Sequence, residues 1–265
     1  MKPIGKDHEA VKDLRRHRTK GTTPDLLVCD ELGILEKYIG AGQRDMRPLK
    51  TLIVCDELLT SEYARGIFET LESLAGDVFA VSEKTYELIA EKKNSGGLLG
   101  VFGYREPSLE DFFKSGYKRM IVMDGLENPG NVGTILRSAD AAGFDAVLAV
   151  DLRTNINGDK CVSSSRGMVF ELPILSIDFK TASEYLEKNG YTVYLGEPEE
   201  GTRYDQIAYD ALCALVVGSE RFGINAEWFS GPHRRVYIPM AGSMTSLNVG
   251  VAASLLMYEV YRQKG

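Results

Sequence analysis

Short apolar runs alternate with segments of helical periodicity through the second half of the chain, and this alternation limits the fold more than any other feature. Met120–Met123, Ala146–Val150, Tyr191–Leu195, Leu212–Val217 and Arg235–Pro239 read as buried strands. Val132–Ala142, stopped by Gly143, and Ser246–Tyr261 carry helical spacing. Strands that alternate with helices pair in parallel, because a parallel pair needs a long crossover and a helix supplies one. The expectation is a mostly parallel α/β sheet.

A smaller α/β unit precedes it, from about Leu26 to Gly103. Thr51–Cys55, Val78–Val81 and Leu98–Phe102 read as strands. Ser61–Leu74 reads as a helix with Tyr63, Ile67, Phe68, Leu71 and Leu74 at its apolar positions. Lys84–Lys93 reads as a second helix, ended by Ser95-Gly96-Gly97. Arg105–Ser108 is a turn or linker, so the expected division is 1–106 and 107–265.

With 265 residues, 44% hydrophobic and 26% charged, the chain has the composition of a soluble globular protein. It holds no apolar run of about 18 residues, so no transmembrane helix is expected. Met1–Lys20 is charged and lacks the apolar stretch of a signal peptide, which makes the cytoplasm the default location. Cys29, Cys55, Cys161 and Cys213 are widely spaced without a CxxC pair, and His8, His17 and His233 form no cluster. Free thiols and no metal site are therefore expected. The net charge of −7 gives nucleic acid no general attraction, so charge distribution decides. Lys12, Arg15, Arg16, Arg18 and Lys20 form a basic stretch that reads equally as a solvated tail or as a phosphate-contacting arm.

Three segments in the second half carry chemistry. In Asn128-Pro129-Gly130-Asn131-Val132-Gly133-Thr134-Ile135-Leu136-Arg137-Ser138, a turn opens a helix. Asn131 and Arg137 are separated by about 600° of helix and converge on one ligand only if Asn131 lies in the turn before it. Asn131 reads equally as a helix cap, and Arg137 by position alone is an exposed helix arginine. In Leu215-Val216-Val217-Gly218-Ser219-Glu220-Arg221-Phe222-Gly223-Ile224, a strand ends in Gly-Ser-Glu, where open α/β sheets bind ligands. Gly218 permits close backbone approach. The third segment is Ile238-Pro239-Met240-Ala241-Gly242-Ser243-Met244-Thr245-Ser246-Leu247-Asn248-Val249, in which Ser246 alone reads as the N-cap of the last helix. No dinucleotide fingerprint, P-loop, metalloprotease helix or nucleophile elbow is present, which disfavours a nucleotide-dependent oxidoreductase.

Together and in this order, the three segments resemble the motifs of the SpoU/TrmH RNA ribose 2′-O-methyltransferases of the SPOUT superfamily, over about Tyr117 to Tyr261. Ser165–Pro173 resembles a segment that relatives carry between the first two motifs. The N-terminal half resembles, more weakly, an L30e-like substrate-binding domain. Cys29-Asp30 stands where relatives show a Glu-Gly pair, and Arg221 stands where many have Gly.

The resemblance implies a C-terminal α/β domain with a trefoil knot and methyl transfer from S-adenosylmethionine to a ribose 2′-hydroxyl of rRNA or tRNA. It implies a homodimer with sites completed across the subunit interface. Cofactor contacts carried over are Leu195, Gly196, Gly218, Ile238, Met240, Leu247 and Val249. The polar active-site set is Asn131, Arg137, Glu220, Ser246 and Asn248. The planar guanidinium donors of Arg137 suit it to stabilising a forming alkoxide and holding a phosphate. The other reading is a catalytically silent RNA- or ribosome-binding module of the same fold, against which the complete polar set argues.

Overall fold

The computed structural model describes residues 1–20, 25–91 and 95–264. The chain divides into two compact units, one of residues 1–105 and 157–171 and the other of 106–156 and 172–265.

In the first unit β1 (Lys2–Pro3), β2 (Leu26–Cys29), β3 (Leu49–Val54), β4 (Asp77–Ala80) and β5 (Leu98–Gly103) form a sheet in the order β1-β4-β3-β5-β2. The first three strands in that order are parallel, but β5 runs antiparallel to both β3 and β2, so this sheet is mixed. The helices are α1 (Glu9–Lys20), α2 (Leu32–Gly40), α3 (Glu62–Leu74), α4 (Glu83–Tyr86) and α7 (Asp159–Ser164). Where a helix over 84–93 is expected, α4 makes a single turn from Glu83 to Tyr86, and the end of that expected helix lies outside the described residues.

The basic stretch is no loose tail. It forms α1, and Val11, Leu14 and His17 are buried on one side, with Val11 and Leu14 in the core beside Val28, Ile53 and Leu99. Lys12, Arg15 and Arg16 stay exposed on the other side. Asp30 is buried, and its carboxylate accepts the Glu91 backbone N–H at 2.6 Å. This chain thus uses the position for its own packing.

In the second unit β6 (Arg119–Asp124), β7 (Ala146–Val150), β8 (Ile174–Ile177), β9 (Thr192–Glu197), β10 (Thr202–Arg203), β11 (Cys213–Gly218) and β12 (Arg234–Tyr237) make one sheet in the order β10-β12-β9-β11-β6-β7-β8. Every neighbouring pair is parallel, as the alternating pattern requires. The helices are α5 (Leu109–Lys114), α6 (Pro129–Ala141), α8 (Phe179–Lys188) and α9 (Val249–Lys264). Ala182 and Leu186 of α8 and Phe112 of α5 share a core with Val122, Leu148, Leu195 and Val216 of the sheet. α6 and α9 pack side by side, joined by the Ser138 and Ser254 hydroxyls at 2.7 Å.

No helix among the described residues is long and apolar enough to cross a membrane. All four cysteines are buried and unpaired. Burial pushes the Cys161 and Cys213 thiols up to about 12 and Cys55 up to about 11, which leaves them without nucleophilic thiolate at neutral pH.

Helix α6 begins earlier than its apolar periodicity suggests. Asn128 is the cap, with its Oδ1 accepting the Gly130 N–H at 2.9 Å, and Pro129 fills the first position, where no N–H is needed. Replacing the cap, Asn128→Ala, is expected to cost about 0.5–2 kcal/mol of stability. A thermal or urea melt measures it, and an unchanged midpoint would contradict the capping role.

Candidate functional site

The three segments singled out in the sequence meet at the carboxyl ends of the parallel strands. The loop after β6 leads into α6, the turn after β11 follows Gly218, and the segment after β12 leads into α9. Side chains from all three are joined in one polar chain. The Asn131 amide N–H donates to Glu220 Oε1, and Asn131 Oδ1 accepts from Asn248 Nδ2 at 3.0 Å. Asn248 Oδ1 in turn accepts the Gly250 N–H at 3.0 Å, capping α9. Asn248, rather than Ser246, is therefore the cap, and Ser246 is left exposed at the cleft wall.

Asn131 is the third residue of α6, not a residue of the turn before it. Its amide is buried and committed to Glu220 and Asn248, while Arg137 lies on the exposed side of the same helix. Within one chain the two do not converge, as the helical geometry requires once both are helical. The polar set is thus split, with Asn131, Glu220 and Asn248 bonded together, Ser246 beside them in the cleft wall, and Arg137 apart.

The polar chain borders a cleft of about 700 Å³. Gly196, Gly218, Ile238, Met240, Leu247 and Val249 line it, as do Ser246, Glu220 and Asn248. Leu195 is the exception among the carried-over contacts. Successive strand residues face opposite sides of a sheet, and the Leu195 side chain belongs to the core with α8. Gly196, the next residue, faces Leu256 of α9.

Gly218 has a steric reason. A Cβ there would lie 2.2 Å from backbone atoms of Gly223 and Ile224. The turn after β11 folds back over this position, with Ser219 and Gly223 exchanging backbone hydrogen bonds of 3.0 and 2.9 Å.

The sequence did not single out several other residues of the site. Glu197 lines the cleft beside Gly196, and partial burial raises its carboxyl above the usual range. Asp124, at the end of β6, is buried, and burial likewise pushes its carboxyl up. Its Oδ2 accepts the Asn225 N–H at 2.6 Å and so fixes the end of the turn after β11. Phe222 and Met244 also line the cleft and stand exposed. The available signal was Phe222's place between Arg221 and Gly223, where an apolar side chain in a polar turn has no core to enter. Among the described residues no group of His, Cys, Asp and Glu is placed to hold a metal.

Comparison with known proteins gives this geometry a family. The model of the SpoU rRNA methylase family matches residues 118–258. The chain is 28% identical over 257 residues to the 23S rRNA (guanosine(2553)-2′-O)-methyltransferase RlmP of Bacillus subtilis, covering 96% of each. A solved RNA 2′-O ribose methyltransferase superposes with a TM-score of 0.77 at 28% identity, over 99% of both chains. The SpoU methyltransferase AviRb of Streptomyces viridochromogenes, solved with AdoMet, shares the fold at a TM-score of 0.82 and 22% identity, over 97% of this chain and 98% of its own. The chain belongs to the SpoU rRNA methylase family. It is an RNA methyltransferase, and its relatives are of the ribose 2′-O class.

Asn131 links all three segments, so its loss leaves the Asn248 amide and the Glu220 carboxylate without their partner. Asn131→Ala is expected to cost about 1–3 kcal/mol and to reduce turnover with it. Chemical denaturation and methyl-transfer assays read the two effects, and a variant with wild-type stability would break the link drawn here.

Proposed function

We propose that the protein transfers a methyl group from S-adenosylmethionine to a ribose 2′-hydroxyl of ribosomal RNA, working in the cytoplasm as a homodimer. The convergence of three distant segments on one cleft, tied by the Glu220–Asn131–Asn248 chain, carries this reading. The rRNA preference is supported by the overall similarity to RlmP, which covers both units of the chain.

The cleft fits the cofactor on its own terms. Its volume is in the range of small-molecule sites. Ile238, Met240, Leu247 and Val249 offer apolar surface for adenine, and Gly196 and Gly218 bring bare backbone to the ligand. When bound, S-adenosylmethionine supplies an electrophilic methyl group. The path of residues 238–248 along the cleft before α9 supports the trefoil knot that the family implies.

The chain's own residues then have separate tasks. Asn131, Glu220 and Asn248 form a rigid polar floor, and Ser246 offers an exposed hydroxyl, so that the ribose is oriented for in-line attack. Arg137 stabilises the oxygen that becomes anionic as the hydroxyl proton leaves. Its exposure away from Asn131 supports delivery of Arg137 from one subunit to the site of the other. Val251, Leu255, Tyr258 and Tyr261, between 39% and 47% exposed along α9, offer the apolar surface for that pairing. The first unit, with Lys12 and Arg15 exposed on α1, is read as an L30e-like domain that engages RNA phosphates.

Transfer of labelled methyl from S-adenosylmethionine to unmodified rRNA and tRNA, with the labelled nucleotide mapped, tests the activity. A single 2′-O-methylated ribose in rRNA is expected; cofactor binding without transfer to either RNA would point to another substrate or assembly state, and neither transfer nor cofactor binding would favour the silent binding module. Arg137→Ala is expected to lower turnover by about 10²–10³-fold with cofactor affinity retained, and normal turnover would remove Arg137 from the chemistry. Leu255→Arg is expected to convert the dimer to a monomer in sedimentation or gel filtration. An unchanged oligomer would move the interface elsewhere.

A further inference from the structure

Beside the polar chain stands a feature that the reading above does not use. Phe222 is 61% exposed, although it sits at the rim of the cleft two residues after Glu220. Two guanidinium groups lie against its ring, with Arg221 Cζ 5.0 Å and Arg153 Cζ 5.3 Å from the ring centre. The group is built from two different loops. Arg153 follows β7, its N–H donates to Leu126 O at 3.0 Å, and its guanidinium donates to Glu127 Oε1 at 2.8 Å. Arg221 and Phe222 ride on the tight turn after β11, where Ser219 Oγ accepts the Phe222 N–H at 3.0 Å and Gly223 takes φ +70°.

A phenyl ring held out to water by its own turn keeps an unfavourable surface. Cation–π contact at an exposed site returns only about 0.5–1 kcal/mol, less than burial of the ring in a core would. A flat aromatic face flanked by planar cations is complementary to a flat ring that carries anionic phosphates on either side. Nucleobases of unpaired RNA stack in this way on aromatic rings and on guanidinium planes.

We propose that Phe222, Arg221 and Arg153 form a stacking platform for a nucleobase next to the methylated ribose, with the flanking phosphates on the two arginines. The proposal rests on the RNA-methylation reading and sharpens it. The target nucleotide is taken from a loop or a splayed-out strand, because a base inside a helix has no free face to stack. Arg221 then serves as an RNA contact beside the Phe222 ring.

The test uses the full-length protein with an unmodified 23S rRNA transcript, and measures RNA affinity and methyl-transfer kinetics alongside S-adenosylhomocysteine affinity. Phe222→Leu keeps an apolar wall and removes the stacking ring. About tenfold weaker RNA binding and a correspondingly raised KM for RNA are expected, and Arg221→Gln, outside the cleft lining, is expected to weaken RNA binding with S-adenosylhomocysteine affinity within about twofold of wild type. Phe222→Trp is expected to restore RNA affinity. Arg221→Gln is expected to reduce the slope of log K against log salt by about one.

RNA affinity of Phe222→Leu equal to wild type would overturn the platform. So would a joint loss of RNA and S-adenosylhomocysteine binding, which would assign Phe222 to the cofactor cleft. A defect seen on ribosomal particles but not on naked RNA would assign the surface to a protein contact. In each of these cases wild-type methyl transfer still stands. If the wild-type protein neither binds nor methylates rRNA or tRNA, the functional reading fails and takes the platform with it.

Discussion

The hydrogen-bonded chain from Glu220 through Asn131 to Asn248 is the constraint on which the site depends. Each residue sits on a different segment, and each uses its side chain to fix backbone or neighbour. Asn248 ends the chain by capping α9, so the start of the last helix and the floor of the site are one structure. Asn131 can serve as the link only because Asn128 caps α6 and leaves the next turn's side chains free. A carboxylate with two amides in series fixes orientation by geometry, since every partner has one acceptable direction. Such a floor costs little reorganisation when a ribose arrives, which is what a reaction governed by alignment needs.

The turn after β11 adds a second constraint, steric rather than polar. Gly218 has backbone of Gly223 and Ile224 folded over it, and Asp124 holds the far end of that turn through Asn225. The same turn carries Glu220 inward to the polar chain and Phe222 outward to the rim. One piece of backbone therefore serves both the inner and the solvent side of the cleft.

The central strands of the second unit were legible in the sequence because both their faces are buried and they read as unbroken apolar runs. β8 was not, since Ile174-Leu175-Ser176-Ile177 is short and interrupted by a serine that faces Glu106. α1 was hidden because only Val11, Leu14 and His17 of its charged sequence turn inward. The first unit's mixed sheet left no trace, as the direction of β5 depends on its connection and not on its composition. In the site, the meeting of the three segments was legible, but the separation of Arg137 from the rest of the polar set was not. Pro129-Gly130 reads as a turn and is the first turn of α6, which moves Asn131 onto the helix and separates it from Arg137. Strand alternation turns the Leu195 side chain into the core, while Gly196, the next residue, lies at the cleft.

The order of the strands has a consequence for how the protein is made. β6, near the middle of the sheet, pairs with β7, which follows it directly, and with β11, which is synthesised much later. Pairings between distant parts of a chain close slowly, because the intervening segment must first lose its freedom. During translation β6 therefore waits with one edge open until Cys213–Gly218 has emerged, and an open edge invites other strands. The polar chain is later still, since Asn248 follows β11 in the sequence. A nascent chain of this protein therefore has a partial sheet before it has the polar chain that joins the three segments.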